Sequence, residues 1–390
     1  MPKLTRIVAA FVVLAITGTI INASAFALPL CDQTDFQTRP ILLGVSGGNI
    51  KARAKIGRNL FECCSGTLGS LVVDKKGVNY ILSNNHVLAR TNKALGGDGI
   101  VQPGLVDTTP NACTQTAGDT VAKTSKKVTL NFRKGSVNVV DAALAKIVSG
   151  DVDTDGDILN IGPIAPTTDD PPALDQAVAK QGRTTCLTTG TVTSIDVNML
   201  GVLYPKECNG GKGGTANFVK QILVTGIDFV EPGDSGSLVV TNNGFGCPQA
   251  VGLLFAGNDS GTMGVVNPIG TVLKKFNVKM VGTCVGPVSA TASDGGTTVA
   301  TDASSTSTNS ALSETSAPVV AASAIKDRHE SDLFKIQGVI GTGIGAADQP
   351  GKAAIQVYVD HETSQIDSAV PATLEGVPVK IIETGQFTAF

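Results

Sequence analysis

Short runs of alternating apolar and polar residues fill the chain between about residues 41 and 285. Gly, Pro, Asn and Asp separate these runs, which is the pattern of β-strands between turns. Many short strands with few helical periods indicate an all-β region, built as barrels or as packed sheets. Residues 271–277, with Lys274 and Lys275, are expected to form a short closing helix. The predicted strands are residues 69–73, 79–82, 128–132, 141–147, 178–180, 189–195, 221–227, 236–240, 250–255 and 264–267.

The first 27 residues have the pattern of a secretory signal peptide. Lys3 and Arg6 precede an apolar run over residues 7–21, and residues 25–27 have the small-x-small pattern of a cleavage site. Residues 23–25 offer a second cleavage site, and an uncleaved anchor helix is the alternative. We expect cleavage after residue 27, a secreted or periplasmic protein, and no membrane partner after cleavage.

Composition divides the rest of the chain into three parts. Residues 28–285 form the β region. Residues 286–322 are predicted to be a flexible linker, because Ser and Thr make up 15 of the 32 residues from 286 to 317 and such a segment cannot bury enough apolar surface to offset its ordering entropy. Residues 323–390 are predicted to be a separate small α+β domain, with a helix from Ser323 to about Phe334 and strands near 339–344, 354–359 and 378–382.

The charge and the cysteine content limit which partners and metals the protein is expected to bind. Thirty Lys and Arg against 33 Asp and Glu give a formal charge of −3, so we expect no nucleic-acid partner. Eight cysteines in an exported chain favour disulfides, whose connectivity stays open. Adjacent Cys63 and Cys64 are expected to have different partners, because neighbouring strand residues point to opposite faces. Zinc is not expected, because only three histidines and no Cys-x-x-Cys occur.

Two further motifs are interpreted as structural. Residues 151–157 imitate the start of an EF-hand loop, but position twelve of that loop is Gly162 instead of Glu, so we expect a solvated loop without calcium. Residues 341–346 fit a loose dinucleotide-binding pattern, but a turn follows where that fold needs a helix. We therefore predict no metal and no cofactor.

Three segments of the β region carry candidate chemistry. Ser235 lies in a Gly-flanked turn before an apolar strand, and such a turn lets backbone N–H groups surround a developing oxyanion. His86 follows the predicted strand 79–82 and is the only histidine before the linker. Asp141 lies among apolar residues, where a carboxylate is costly unless a partner uses its charge. Each motif by itself also fits a structural role, the first as an ordinary hairpin turn.

Taken together, these segments resemble the trypsin-like (chymotrypsin-fold) serine peptidases. The resemblance rests on GTLGS at residues 66–70, LSNNHVL at 82–88, DAAL at 141–144, GRTTCLTTG at 182–190 and PGDSGS at 232–237. It covers about residues 41–285 and is closer to a bacterial-type branch. An α/β-hydrolase is excluded, since its motif needs Gly where residue 237 is Ser.

The resemblance implies two six-stranded antiparallel β-barrels, over about residues 41–165 and 172–285, and a secreted serine endopeptidase acting on protein or peptide substrates. Ser235 would be the nucleophile, His86 the general base and Asp141 the group that orients it. The backbone N–H groups of Gly233 and Ser235 would form the oxyanion hole. The implied substrate-binding residues are Phe229 and Val230 at the pocket, and Phe255, Ala256 and Gly257 on the strand that pairs with substrate.

The sequence departs from the digestive-type pattern in two ways. No Ile-Val-Gly-Gly start follows a basic cleavage site, so Asp234 has no obvious new amino terminus to pair with. Residue 87 is Val instead of the family's frequent cysteine. Either the oxyanion loop is preformed, or the site is latent. The alternative function is a catalytically silent binding protein on the same scaffold.

Overall fold

The structure of the protein is a computed structural model. The structure describes residues 32–55, 61–109, 112–114, 117–206, 213–242, 244, 246–285 and 312–389. The predicted signal peptide lies outside these residues, and so does most of the predicted linker. No helix among the described residues is long and apolar enough to cross a membrane.

Strands dominate the described residues. The helices are α1 (Asn85–Leu88), α2 (Ile269–Phe276), α3 (Ala317–Leu333) and α4 (Ser364–Ala369). The strands are β1 (Val45–Asn49), β2 (Arg53–Lys55), β3 (Phe61–Cys63), β4 (Gly66–Leu68), β5 (Ser70–Asp74), β6 (Asn79–Ser83), β7 (Gly99–Val101), β8 (Thr120–Lys127), β9 (Val137–Asn138), β10 (Ala143–Ile147), β11 (Ala177–Gly182), β12 (Cys186–Tyr204), β13 (Gly214–Thr225), β14 (Leu238–Thr241), β15 (Ala250–Asn258), β16 (Met263–Pro268), β17 (Val278–Met280), β18 (Val339–Ala346), β19 (Ala353–Val359), β20 (Thr373–Leu374), β21 (Val377–Glu383) and β22 (Phe387–Thr388).

The first barrel is a closed ring of antiparallel strands. Only Gly69 separates β4 from β5, so the two form one bent strand. The ring then runs β1, β4–β5, β6, β10, β8 and β7, and returns to β1. Strand β17, from the end of the barrel region, pairs with the outer edge of β5. Fully buried Leu, Ile, Val and Ala side chains fill the interior, including Leu68, Leu82 and Leu144, as the alternation of the strands requires.

The second barrel is also closed. Its ring runs β11, β14, β15, β16, β13 and β12, and β12 pairs again with β11. Valine and isoleucine side chains such as Val178, Ile222 and Val266 are fully buried inside. The expected all-β architecture of two six-stranded antiparallel barrels is therefore confirmed.

The predicted end of the linker is wrong. Helix α3 begins at Ala317, six residues before Ser323, with Pro318 in its first turn. Val319 and Ala322 are buried, and the Leu174 N–H donates to the Leu312 carbonyl at 2.7 Å. The Ser/Thr-rich composition that continues to residue 316 concealed the start of this helix.

The tail also does not form a separate unit. Strand β18 pairs antiparallel with β12 of the second barrel, and β19 and β21 extend the same sheet. Strand β22 pairs with β12 and β15. The pairing of β12 with β11 ends at Thr191, so the rest of this long strand has an edge without a barrel partner, and such an edge attracts another strand. The local sequence of the tail does not distinguish this pairing from an independent sheet. The Gly-rich run 341–346 lies in β18, so it is not a strand-to-helix turn.

Most predicted strands and helix α2 are confirmed, but the predicted strand 128–132 is wrong. Strand β8 ends at Lys127. Beyond it, the Val128 N–H donates to the Ala142 carbonyl and the Leu130 N–H donates to the Asn92 side chain. An asparagine side chain therefore replaces a neighbouring strand as acceptor, which apolar patterning could not indicate.

Candidate active site

His86 and Asp141 are brought together by the pairing of β6 with β10. Ala143 lies opposite Ser83 in this antiparallel register, so the residues just beyond the two strand ends are neighbours. These are Asp141, before β10, and the first turn of α1, which carries Asn85 and His86. The His86 Nδ1 and an Asp141 Oδ2 atom lie 2.6 Å apart, and Asp141 is fully buried.

The Asp141 carboxylate is surrounded by donors. Its Oδ1 accepts from the backbone N–H of Asn85 at 2.7 Å and of His86 at 3.3 Å. Its Oδ2 accepts from the hydroxyl of Tyr204 at 2.8 Å. Hydrogen bonds from N–H groups and an imidazole offset the cost of burying this charge. The carboxylate therefore holds both the ring and the backbone of His86.

Tyr204 is a residue of the candidate site that sequence reasoning missed. Its ring lies edge-on to that of His86, with centroids 5.9 Å apart. Burial, followed by the negative charge of Asp141, raises the pKa of the Tyr204 hydroxyl well above its ordinary value. It therefore stays protonated and donates to Asp141 at physiological pH. Tyr204 ends the long strand β12, far from Asp141 in sequence, so no local motif marked it.

Ser235 lies between the barrels in a turn packed against β4. The Thr67 N–H donates to the Ser235 carbonyl at 2.8 Å, and the Gly236 N–H donates to the Leu254 carbonyl at 2.9 Å. A Cβ atom on Gly66 would lie 2.5 Å from Val87 and 3.0 Å from the Ser235 carbonyl oxygen. Val87, which follows His86, and the Ser235 carbonyl thus both pack against Gly66.

The Ser235 hydroxyl donates to the Phe255 carbonyl at 3.1 Å. A serine Oγ moves between staggered positions by rotation about one bond. For attack through His86, the hydroxyl proton must point to the His86 ring instead of to the Phe255 carbonyl.

The turn before Ser235 has the features of an anion-binding loop. Gly233 and Gly236 have φ of 106° and 97°, a region that favours glycine. The intervening Asp234 N–H donates to the Glu231 carbonyl. The N–H groups of Gly233 and Ser235 donate to no other described group. Both therefore stay available for a ligand oxygen.

A buried ion pair anchors this loop. The Lys180 Nζ lies 3.1 Å from an Asp234 Oδ2 atom, and neither side chain is exposed. Asp234 also accepts from the backbone N–H groups of Thr184 and Thr185 at 2.8 and 3.1 Å. Burial lowers the pKa of Lys180, and the charge of Asp234 opposes this shift. The ion pair thus supplies internally the partner that Asp234 lacked in the sequence.

The other predicted substrate-binding residues lie near the same loop. Phe229 and Val230 are fully buried; the Phe229 ring packs under the Lys180 ammonium, 5.9 Å from its centroid. Phe255, Ala256 and Gly257 lie in β15. The tail strand β22 pairs with Gly257, which the sequence did not indicate.

All cysteines among the described residues are disulfide-bonded. Cys63 bonds to Cys113 and Cys247 to Cys284, and Cys64 is disulfide-bonded as well. The expectation that Cys63 and Cys64 have different partners is therefore confirmed. Within the described ranges, no group of three or more His, Cys, Asp or Glu residues is placed to hold a metal ion.

The chain is similar in fold to bacterial chymotrypsin-fold serine proteases of known structure. One is described as a glutamic acid-specific serine protease that uses a histidine triad in substrate binding: it is 16% identical, with 62% of this chain and 100% of that chain covered and a TM-score of 0.38. Thermobifida fusca protease A is 17% identical, with 62% and 99% covered and a TM-score of 0.38. Cellulomonas bogoriensis chymotrypsin is 17% identical, with 62% and 99% covered and a TM-score of 0.37.

No protein-family model matches the chain, and no curated protein sequence matches it. The two closed rings of paired strands establish the fold.

Proposed function

We propose that this protein is a secreted serine endopeptidase that acts through Ser235, His86 and Asp141. The observation that carries the proposal is the 2.6 Å contact between His86 Nδ1 and the buried Asp141 carboxylate, beside a turn whose Gly233 and Ser235 N–H groups are available. A buried acid that fixes an imidazole next to a serine is the arrangement required for nucleophilic attack by the hydroxyl.

The proposed reaction follows from these positions. Asp141 accepts the Nδ1–H of His86, so Nε2 is the basic nitrogen. After its hydroxyl turns from Phe255, Ser235 Oγ attacks the substrate carbonyl and its proton passes to Nε2. The N–H groups of Gly233 and Ser235 stabilise the oxyanion. His86 then gives the proton to the leaving amine, and water hydrolyses the acyl-enzyme by the same steps.

Two observations support an active site instead of a latent one. The buried Lys180–Asp234 pair and the two threonine N–H groups already hold Asp234, so no new amino terminus is needed to order the loop.

The orientation of the Ser235 hydroxyl toward Phe255 favours the alternative function, a silent binding protein. The disulfides agree with export to an oxidising compartment.

A fluorophosphonate probe tests the proposed function, because it reacts with an activated serine without needing a peptide sequence. We expect labelling of the purified protein at Ser235, and its loss in Ser235→Ala and His86→Ala. Asp141→Asn should lower kcat on a peptide substrate by about 10⁴. Asp259→Asn, at an exposed site, serves as the matched control. A folded protein that remains unlabelled would support the silent binder.

A further inference from the structure

The C-terminal strand β22 lies between two strands of the second barrel. Thr388 pairs antiparallel with Gly257 and Phe387 with Asn258 of β15. Thr388 also pairs in parallel with Leu203 of β12. The segment therefore adds a strand along the part of β15 that was expected to pair with substrate.

The position of Ser235 identifies which part of a substrate would lie there. The Ser235 hydroxyl is 3.1 Å from the Phe255 carbonyl, so a peptide antiparallel to β15 brings the residue opposite Phe255 next to the nucleophile. The residues before it lie opposite Ala256, Gly257 and Asn258 in turn, because antiparallel partners run in opposite directions.

Strand β22 has this same direction and register. Thr388, opposite Gly257, occupies the place of the third residue before the scissile bond, and Phe387, opposite Asn258, occupies the place of the fourth. One step further in the same register, Ala389 reaches Ala256, the place of the second residue.

The segment is held firmly on both sides. Phe387 and Ala389 are almost completely buried, at 1% and 3% exposure, in the cluster that contains Tyr204, Phe218 and Phe255. Beyond the strand pairing, the Ala389 N–H donates to the Leu203 carbonyl at 2.8 Å. A substrate cannot pair with this stretch of β15 while β22 is in place.

Side-chain hydrogen bonds also hold the residues that come just before β22. The Asn258 side chain donates to the Thr384 carbonyl at 3.1 Å, and the Gln386 side chain donates to the Gly201 carbonyl at 2.9 Å. The approach to β22 is thus fixed to β15 and to β12 of the second barrel.

We propose that β22 inhibits the peptidase in cis by occupying the part of the cleft that binds the residues before the scissile bond. The side chains of β22 also indicate the substrate preference of this part of the cleft. Phe387 and Ala389 predict an aromatic side chain at the fourth residue before the scissile bond and a small one at the second. This inference rests on the proposed function of Ser235.

The test compares the full chain with a chain that ends at Gly385. An intramolecular occupant acts at an effective concentration in the millimolar range, so its removal should raise kcat/KM on an extended peptide by about tenfold or more, through a lower KM. The shortened chain should select an aromatic residue at the fourth position of a peptide library. His361→Ala, at an exposed tail site, is the matched control and should leave the activity unchanged.

A synthetic peptide of residues 384–390 provides a second measurement that does not depend on catalysis. Calorimetry should show that it binds the shortened chain and not the full chain, and that a peptide carrying F387D does not bind. Circular dichroism and thermal unfolding establish that the shortened chain is folded. If it does not fold, Thr388→Pro in the full chain takes its place, because proline cannot donate to a strand ladder.

The outcomes separate the inhibition from the proposed function. Equal kcat/KM in both folded chains, or no binding of the peptide to the shortened chain, would overturn the inhibition while fluorophosphonate labelling of Ser235 persists. Absence of labelling in both folded chains would instead remove the peptidase function, and the inhibition with it.

Discussion

At the scale of single residues, the buried Asp141 carboxylate is distinguished by the number of its donors. His86 Nδ1, the hydroxyl of Tyr204 and two backbone N–H groups all lie within 3.3 Å of its oxygens. Asp141 could be singled out from sequence because an acid among apolar residues needs a partner. Tyr204, which donates to Asp141, could not be singled out from sequence, because the two residues meet only when the barrels pack together.

Tyr204→Phe removes one donor without emptying the space that the ring fills. A hydrogen bond to a charged group contributes about 1.5–3 kcal/mol, so we expect the free energy of unfolding to fall by about that amount. We also expect kcat to fall severalfold with KM unchanged, because Asp141 then holds His86 less firmly. Tyr80→Phe, whose hydroxyl donates to Asp74 at 3.2 Å outside the site, is the matched control. Equal kcat in both variants would show that Tyr204 has only a structural role.

Lys180→Met tests the ion pair beneath the oxyanion loop. Removing one partner of a buried pair costs about 3–5 kcal/mol, because it leaves a buried charge uncompensated. We therefore expect a lower free energy of unfolding in denaturant titrations and weaker fluorophosphonate labelling of the folded fraction. Lys279→Met, on an exposed face of β17, should change stability by less than about 0.5 kcal/mol. Unchanged labelling in Lys180→Met would show that the loop orders without the pair.

The same ion pair predicts an alkaline limit to activity. Burial lowers the pKa of Lys180 below its ordinary value, so the ammonium loses its proton at a lower pH than an exposed lysine does. Above that pH, Asp234 has lost its cation, and kcat should fall reversibly. Because the pKa of arginine lies above about 12, Lys180→Arg should move this limit to higher pH. A pH–kcat profile that is identical in the two proteins would contradict this assignment.

At the scale of the elements, the bent strand β4–β5 supports the serine turn. A Cβ atom on Gly69 would lie 1.9 Å from the Gly236 carbonyl oxygen. Gly69→Ala must therefore displace the turn that carries Ser235, and we expect kcat to fall by more than tenfold, since about 1.4 kcal/mol of lost alignment already gives tenfold. Gly96→Ala, where nothing lies within 4 Å of the added atom, should be neutral in the same assay.

The elements also show where local sequence was sufficient. Turn residues and alternation located most strands of both barrels, because a half-buried strand needs that pattern wherever it lies. Two of the errors have the same origin. Residues 128–132 look like a strand, but the Leu130 N–H donates to the Asn92 side chain. Helix α3 begins earlier than predicted, next to Ser/Thr-rich sequence. In both cases contacts with distant residues decided the outcome.

At the scale of the whole molecule, the tail and the second barrel share one apolar core. Val319 and Ile355 of the tail belong to the same buried cluster as Val192 and Ile222 of the barrel. Because neither part can lose these contacts alone, we expect one cooperative unfolding transition in calorimetry. A chain that stops before Leu312 should unfold at a lower temperature. Two well-separated transitions in the full chain would show that the tail folds independently.

The sequence by itself determined the β architecture, the oxidised cysteines and the choice of Ser235, His86 and Asp141 as candidates. These follow from periodicity, from an even number of cysteines behind a predicted signal peptide, and from residue types that carry reactive groups. Only the tertiary structure decided that Lys180 holds Asp234, that Tyr204 holds Asp141, and that β22 lies along the cleft. Each of these pairs residues more than 50 positions apart. Such contacts depend on how strands close into barrels, and a local pattern of side chains does not contain that information.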